Sequence, residues 1–293
     1  MKNILKDIAK NRIKILQKNK TNHALVNGDS SDILEKISDK SIDLIFADPP
    51  YNANLKYGKY YNDNLSWNEY YKQTHKWFKE YKRILKPTGS LYLINYPEVN
   101  ARLLPYFEDT LKLKLKRWIT WHYPTNIGHS NKNFTRSQRA ILFFTKSNKY
   151  IFNKKNILQQ YKNPEVKKVK KLIESGSKGR VAYDMLSLLD IIDMKFTEGN
   201  KNLLDVHDIN LLKNVSKNRL TKQHPCQLPF ELIRRFIKVS TNKNNIILDP
   251  FAGTFSTSLI AAELGRNSIG IEINPNYVKL GHKRFKKLYV RRS

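Results

Sequence analysis

Cysteine is almost missing from this sequence, which has one, Cys226, in 293 residues. A single cysteine excludes an intramolecular disulfide and a cysteine-rich zinc site, and it suits a reducing cytoplasm. The seven histidines show no spacing typical of metal ligands, so we expect no metal site.

Long apolar runs are missing as well. No run reaches the ~18 residues that a membrane helix needs. The amino terminus continues from residues 1–6 as a mixed polar and basic segment, without the apolar block of a signal peptide. We therefore expect a cytoplasmic protein with no membrane partner.

Acidic residues are scarce, with 25 Asp and Glu against 54 Lys and Arg, so the formal net charge is +29. The isoelectric point is near 10.0. An excess of this size indicates a polyanionic partner, and nucleic acid is the first candidate. The alternative is a low-GC genome, which raises Lys and Asn content whatever the function. The hydrophobic content of 40% is compatible with the core of one large α/β domain.

A short apolar run, Ile42–Ala47, is followed at once by Asp48-Pro49-Pro50-Tyr51. The run predicts a strand buried on both faces, as in a parallel sheet. Two prolines cannot continue a sheet ladder, so the acid and the tyrosine should lie on a stiff turn at the carboxyl end of the strand. Ligands of open α/β sheets bind at that edge.

A second turn of the same kind follows the predicted strand Asn245–Asp249, and it is Pro250–Thr257. Gly253 lets the backbone approach a ligand, hydroxyl groups open the next helix, and helix amides attract carboxylate or phosphate. Glu272 ends the next predicted strand, where an acid can bind ribose hydroxyls. Phe255 stands where a dinucleotide motif has its second glycine, and no Gly-Lys-Ser/Thr loop is present, so the ligand should be neither NAD nor ATP.

Strand and helix patterns alternate at both ends of the chain, which predicts a doubly wound, mostly parallel α/β sheet. Between them, residues 146–180 are rich in lysine with interleaved aromatics, which favours a nucleic-acid contact surface over a solvated linker. We divide the chain into 1–123, an inserted basic lobe at 124–222, and 223–293. In the first part of the chain we predict a helical lead-in over residues 1–20 and a helix that is capped at residues 30–32 and runs to Ile37. A long loop follows at 52–66, and then a helix that Ser66 caps and that Pro87 and Gly89 stop. Two further strands are predicted at 115–122 and 140–145.

Together, Asp48–Tyr51 and Asp249–Gly253 resemble the S-adenosylmethionine-dependent DNA amino-methyltransferases of bacterial restriction–modification systems. The catalytic motif comes first and a variable basic region lies between the two motifs, which resembles the β arrangement of the family. The resemblance implies a circularly permuted, Rossmann-like methyltransferase sheet with 124–222 as a target-recognition region. Its expected partners are S-adenosylmethionine and double-stranded DNA, and it allows a homodimer and a cognate restriction endonuclease.

The resemblance also implies the roles of individual residues. Asp48 and the Pro49 carbonyl would accept hydrogen bonds from the amine of a flipped-out base, on which Tyr51 would stack. Asp29 would lie near the cofactor adenine, and Glu272 would bind the ribose. The complete expected set is catalytic Asp48, Pro49, Pro50 and Tyr51, with cofactor contacts from Asp29, Asp48, His224, Pro225, Gln227, Asp249, Pro250, Phe251, Gly253, Thr254, Ser256, Thr257 and Glu272.

The aspartate at position 48 favours the adenine N6 atom as methyl acceptor, because serine is more usual there in the cytosine-N4 enzymes of this family. Cytosine-N4 methylation is the second hypothesis. An inactive nucleic-acid-binding protein and an RNA or protein methyltransferase are further alternatives. The segment His224–Pro229 does not decide between the two bases.

Overall fold

A computed structural model of the chain describes residues 3–5, 7–18, 20–54, 60–122, 132–186 and 228–290. Its main sheet has nine strands in the spatial order β1-β2-β11-β10-β3-β4-β6-β5-β9, and a separate two-stranded ladder is formed by β7 and β8. The strands are β1 (Ile13–Lys18), β2 (Thr21–Asn27), β3 (Ile42–Ala47), β4 (Leu85–Asn95), β5 (Lys114–His122), β6 (Gln138–Thr145), β7 (Leu158–Gln159), β8 (Arg180–Val181), β9 (Met185–Leu186), β10 (Ile246–Asp249) and β11 (Asn267–Glu272).

Helices cover both faces of this sheet. They are α1 (Ser30–Leu34), α2 (Trp67–Ile84), α3 (Pro97–Pro105), α4 (Lys167–Glu174), α5 (Phe230–Ser240), α6 (Ser256–Glu263) and α7 (Pro275–Val290). The apolar side chains of α2 pack on one face and those of α5 on the other. This is why every residue of β3 is buried. Within the described ranges, none of the helices has the length and apolar character to cross a membrane.

Five neighbouring strands, β2, β11, β10, β3 and β4, run parallel to one another, and β1 and β6 pair antiparallel with the outer two. The predicted doubly wound, mostly parallel sheet is therefore confirmed. Strands β3 and β10 are neighbours with Ile247 opposite Leu44 and Leu248 opposite Ile45. The two predicted turns thus leave adjacent strands at the same edge.

The helix α2 begins as predicted, with a reciprocal capping box between Ser66 and Glu69. Its predicted end was too late. The helix stops at Ile84, and β4 begins at the next residue and includes Pro87 and Gly89. Lys86 precedes a proline and is therefore confined to extended backbone, which favours strand over helix at this point.

The helical lead-in predicted for residues 1–20 is wrong. The described part holds a short 3-10 turn at Lys10–Arg12 and then β1, which pairs with β2 from Ile13 opposite Val26 to Lys18 opposite Thr21. Strand pairing prevails because β2 offers an unpaired edge to this segment. The next helix is also shorter than predicted, since α1 is capped by Asp29 and ends at Leu34.

The predicted inserted lobe at 124–222 contains two strands of the main sheet, β6 and the short edge strand β9. Strand β6 lies between β4 and β5 and pairs antiparallel with both, and β5 and β6 confirm the strands predicted at 115–122 and 140–145. The lysine-rich segment after β6 packs on the end of α5, where the backbone N–H of Asn153 donates to the Val239 carbonyl oxygen at 2.7 Å. That end lies at the edge of the sheet opposite Asp48. Residues 187–227 lie outside the described ranges.

The buried carboxylate of Asp43 connects three strands at the edge opposite Asp48. It accepts hydrogen bonds from the Lys86 ammonium at 2.8 and 2.9 Å and from the Ile246 backbone amide at 2.8 Å. These contacts join β3 to β4 and also to β10, which lies 203 residues away in the chain.

We predict that Asp43→Ala lowers the free energy of unfolding by about 3 kcal/mol, because a buried amide loses a charged acceptor. The matched control is Lys86→Met. The Lys86 side chain is 34% exposed, so water can replace part of its contact with Asp43, and its loss should cost less, about 1–2 kcal/mol. Urea unfolding of both variants measures the difference, and equal losses would contradict the account of Asp43 as the connection between β3 and β10.

Candidate active site

The turn after β3 is held from two sides. The Tyr51 hydroxyl donates a hydrogen bond to the Asp48 carboxylate within the turn. The Tyr70 hydroxyl of α2 donates to the Pro50 carbonyl oxygen at 2.8 Å. The turn is therefore tied to the helix that follows it, and Asp48 is fixed at the carboxyl end of β3.

A buried acid that the sequence analysis did not single out holds the next three residues. The Asp63 carboxylate accepts hydrogen bonds from the backbone amides of Asn52 at 2.8 Å and Ala53 at 3.1 Å. Asn52 and Asn54 have φ values of 55° and 57°, the left-handed region that asparagine tolerates better than most residues. The chain thus reverses direction directly after Tyr51.

The turn after β10 is joined to the end of β11 by Glu272. One Glu272 oxygen accepts from the Gly253 amide and the other from the Asn274 amide, both at 2.8 Å. The Asp249 carboxylate accepts from the Phe251 amide at 3.1 Å. Each acid at the end of a strand therefore orders the loop beside it, whatever else it binds.

The two turns face each other across one cleft of about 930 Å³, part of which is open to solvent. Of the residues predicted for the site, the cleft is lined by Asp29, Asp48, Pro49, Pro50, Tyr51, Pro250, Phe251, Gly253 and Glu272. The lining among the described residues does not include Asp249, Thr254, Ser256 or Thr257. His224, Pro225 and Gln227 lie outside the described ranges.

Several lining residues were missed, among them Tyr61, Trp77, Arg139, Asn274 and Tyr277. The Trp77 indole lies edge-on to Phe251, with 4.7 Å between the ring centroids, and its Nε1 atom donates to the Ser31 hydroxyl at 2.9 Å. The helical spacing of Trp77 with Tyr70 and Tyr81 indicates only a place on the apolar face of α2. Trp77 is the eleventh of the 18 residues of α2, so no local signal in the sequence places it at the cleft.

Three carboxyl groups come together at the end of β3, β10 and β11. Burial raises the pKa of Asp249 and that of Glu272 to about 7 in each case. Desolvation also raises the pKa of the Asp48 carboxyl, and the Asp48 charge contributes to the raised pKa of Asp249. This end of the cleft therefore favours a ligand that brings positive charge.

Thr254 and Ser256 contact a buried cation of α7. The Arg284 guanidinium donates to the Thr254 carbonyl at 2.6 Å, to the Thr254 hydroxyl at 2.7 Å and to the Ser256 hydroxyl at 3.3 Å. Asp249 receives a hydrogen bond from Thr257. The hydroxyl groups predicted to contact a ligand carboxylate are thus engaged in holding the turn, and their contact with a ligand stays a prediction.

Phe255, the departure from the glycine pattern, points into the core. It is 0% exposed and has a φ of 62°. A Cβ atom on Gly270 would lie 2.7 Å from the ring, and one on Gly281 would lie 2.4 Å from it. Glycines of β11 and α7 therefore make the space for this ring, and the turn keeps its left-handed residue without a glycine.

We predict that Gly281→Ala lowers the free energy of unfolding by about 2 kcal/mol, because the new methyl group overlaps the Phe255 ring. Helix propensity alone predicts the opposite sign, a gain of about 1 kcal/mol. In a Phe255→Ala background the same change should no longer destabilise, giving a coupling energy of about 2 kcal/mol.

Thermal and urea unfolding of the four proteins of this cycle measure the coupling. Lys279→Ala, an exposed change in the same helix, is the control and should stay within about 0.5 kcal/mol. Additive effects of Gly281→Ala and Phe255→Ala would show that the two residues do not share this space.

The family described as DNA methylase matches residues 42–283. DNA adenine methyltransferase YhdJ of Escherichia coli (strain K12) is 31% identical over 263 residues, which cover 89% of this chain and 81% of that protein.

Two solved structures share the fold. The PvuII DNA methyltransferase (cytosine-N4-specific) superposes with a TM-score of 0.63 at 19% identity, covering 90% of this chain and 86% of that one. The M1.HpyAVI–SAM complex superposes with a TM-score of 0.59 at 19% identity, and the match covers 89% of this chain and 98% of that one. On the family match and the identity to YhdJ, this chain belongs to the DNA methylase family.

Proposed function

We propose that the protein transfers a methyl group from S-adenosylmethionine to the N6 atom of an adenine in double-stranded DNA. The observation that carries the proposal is the shared cleft. The Asp48–Tyr51 turn and the Gly253 turn leave neighbouring strands β3 and β10 and line the same space. An acceptor for an amine therefore lies opposite a loop suited to a nucleoside ligand.

The residues of the cleft suit S-adenosylmethionine, which supplies, when bound, a methyl group on a positively charged sulfur. Asp48 and Glu272 give this space negative potential, and Asp249 behind the lining adds to it. Glu272 stands where an acid can bind a ribose, and we assign the adenine ring to the part of the cleft that Asp29, Phe251 and Trp77 line. Gly253 has no side chain that would keep a ligand from its backbone.

Asp48 and Pro49 supply the acceptors that the reaction needs. The exocyclic amine of a base is a poor nucleophile, because its lone pair is delocalised into the ring. A carboxylate oxygen and a backbone carbonyl that accept its two N–H groups draw the nitrogen toward tetrahedral geometry and free the lone pair. The carboxylate also stabilises the positive charge that develops on the nitrogen, and the fixed turn supplies orientation.

The target base must leave the duplex, because its amine is otherwise paired and shielded. Tyr51 lines the cleft beside Asp48, which supports the proposed role of its ring in stacking on the inserted base. The net charge of +29 supports a duplex DNA partner through phosphate neutralisation. We assign target recognition to the part of 124–222 that follows β6. A homodimer and a cognate restriction endonuclease stay predictions from the family resemblance.

Adenine is the proposed base because position 48 is Asp and not Ser, and because YhdJ is a DNA adenine methyltransferase. Nucleoside mass spectrometry of duplex DNA incubated with the protein and S-adenosylmethionine tests this choice. The expected product is N6-methyladenine. N4-methylcytosine alone would reject adenine in favour of the second hypothesis, and methyl transfer only to RNA or protein would reject DNA as the substrate.

We predict that Asp48→Ala lowers the rate of methyl transfer at least ~100-fold, because the amine loses its charged acceptor. Binding of S-adenosylmethionine, measured by calorimetry, should change far less. Asp109→Ala, an exposed acid on the same protein, is the control and should retain full activity. An active Asp48→Ala protein would remove this carboxylate from the mechanism, and an inactive wild-type protein that still binds DNA would indicate a binding role alone.

A further inference from the structure

Arg139 lies in the cleft although nothing in the proposed chemistry uses it. It is the second residue of β6, opposite Trp121 of β5, and it is only 7% exposed. Its guanidinium carbon lies 5.0 Å from the centroid of the Tyr51 ring and 5.6 Å from that of Trp121. A buried cation over two aromatic faces is a favourable arrangement that also fixes both rings.

The ring that Arg139 covers is the one that contacts Asp48. Tyr51 packs edge-on against Tyr96 with 4.8 Å between the ring centroids, and its hydroxyl donates to the Asp48 carboxylate. Removing Arg139 would leave Tyr96 as the aromatic neighbour that holds this ring. The position of Tyr51 beside the catalytic acid therefore depends on contacts from both sides.

Arg139 also sets the charge around Asp48. The Tyr51 hydroxyl faces Asp48 from its own turn, Asp249 faces it from β10, and Glu272 lies beyond Asp249 at the end of β11. Asp29 and Tyr61 line the same cleft. Among the described residues of this lining, Arg139 is the one that carries a positive charge. Desolvation raises the pKa of Asp48, and the Arg139 charge opposes that rise.

We propose that Arg139 is a positioning residue for methyl transfer, which holds the Tyr51 ring in place and keeps Asp48 in the carboxylate form that accepts from the amine. The proposal rests on the proposed function. A protonated Asp48 would retain one acceptor oxygen but lose the charge that stabilises the developing cation. A role as a contact to DNA phosphate fits less well, because Arg139 is almost fully buried behind aromatic rings.

The test is the pH dependence of kcat for wild type, Arg139→Gln, Arg139→Met and Arg139→Lys at saturating DNA and S-adenosylmethionine. Loss of the cation raises the pKa of Asp48, so the acid limb of the profile should move up by about one pH unit in the Gln and Met variants. Their activity relative to wild type should be lower at pH 6 than at pH 8. The KM for S-adenosylmethionine should stay within about twofold, because the rings that Arg139 covers, Tyr51 and Trp121, are not among the residues proposed to hold the cofactor.

The Lys variant retains the charge but loses the planar group over Tyr51, so its kcat should fall while its acid limb stays at the wild-type pH. An unmoved limb in the Gln and Met variants would overturn the proposal. A higher KM for DNA, together with a salt dependence of DNA binding that is weaker by about one charge, would also overturn the proposal and would indicate a contact to DNA phosphate. If the Gln and Met variants do not fold, a displaced limb in the Lys variant would overturn the proposal by itself. An inactive wild-type protein would instead reject the proposed function.

Discussion

The parallel pairing of β3 with β10 is the constraint on which the rest of the structure depends. Ile247 and Leu248 lie opposite Leu44 and Ile45, so segments that are some two hundred residues apart end at the same edge. Each strand then breaks into a turn that begins with an acid, Asp48 in one case and Asp249 in the other. Because ligands of such sheets bind outside the carboxyl ends of the strands, the two turns can act on one ligand pair.

The acids at these strand ends have two tasks that compete for the same atoms. Glu272 accepts two backbone amides, and Asp249 accepts from Phe251 and Thr257. These bonds order the loops before any ligand arrives, which reduces the ordering cost of binding. Burial meanwhile raises their pKa values to about 7. The loops are thus preorganised around groups whose charge a cationic ligand would stabilise.

Much of this architecture can be predicted from the sequence, because the residues that mark the ends of strands and helices lie within a few positions of those ends. The apolar run before Asp48, the capping box at Ser66 and the acid at the end of β11 each predict a strand or helix end within a few residues. Tyr51, Gly253 and Glu272 therefore fell in one cleft as expected. The amino-terminal segment failed because its basic residues allow helix or strand, and only the open edge of β2 decides between them.

The residues that could not be predicted act across long sequence separations. Arg139 reaches the cleft because β6 lies next to β4, and Trp77 reaches it because its indole packs against Phe251 and donates to Ser31. Phe255 is similar, since its left-handed backbone looks unfavourable until Gly270 and Gly281 are seen to accommodate its ring. An unfavourable backbone conformation in a site loop is thus compensated by residues elsewhere in the fold. Phe255 and the two glycines are too far apart in the chain for a local sequence pattern to include them all.

A crystal structure of the protein with S-adenosylmethionine tests the central claim most directly. The amine must hydrogen-bond to Asp48 at ~2.9 Å and approach the methyl carbon at ~3–3.5 Å. The account therefore predicts a methyl carbon within about 6 Å of the Asp48 carboxylate, with the methionine part beside Gly253 and the ribose beside Glu272. A cofactor bound outside this cleft, or one whose methyl group points away from the Asp48–Tyr51 turn, would contradict it.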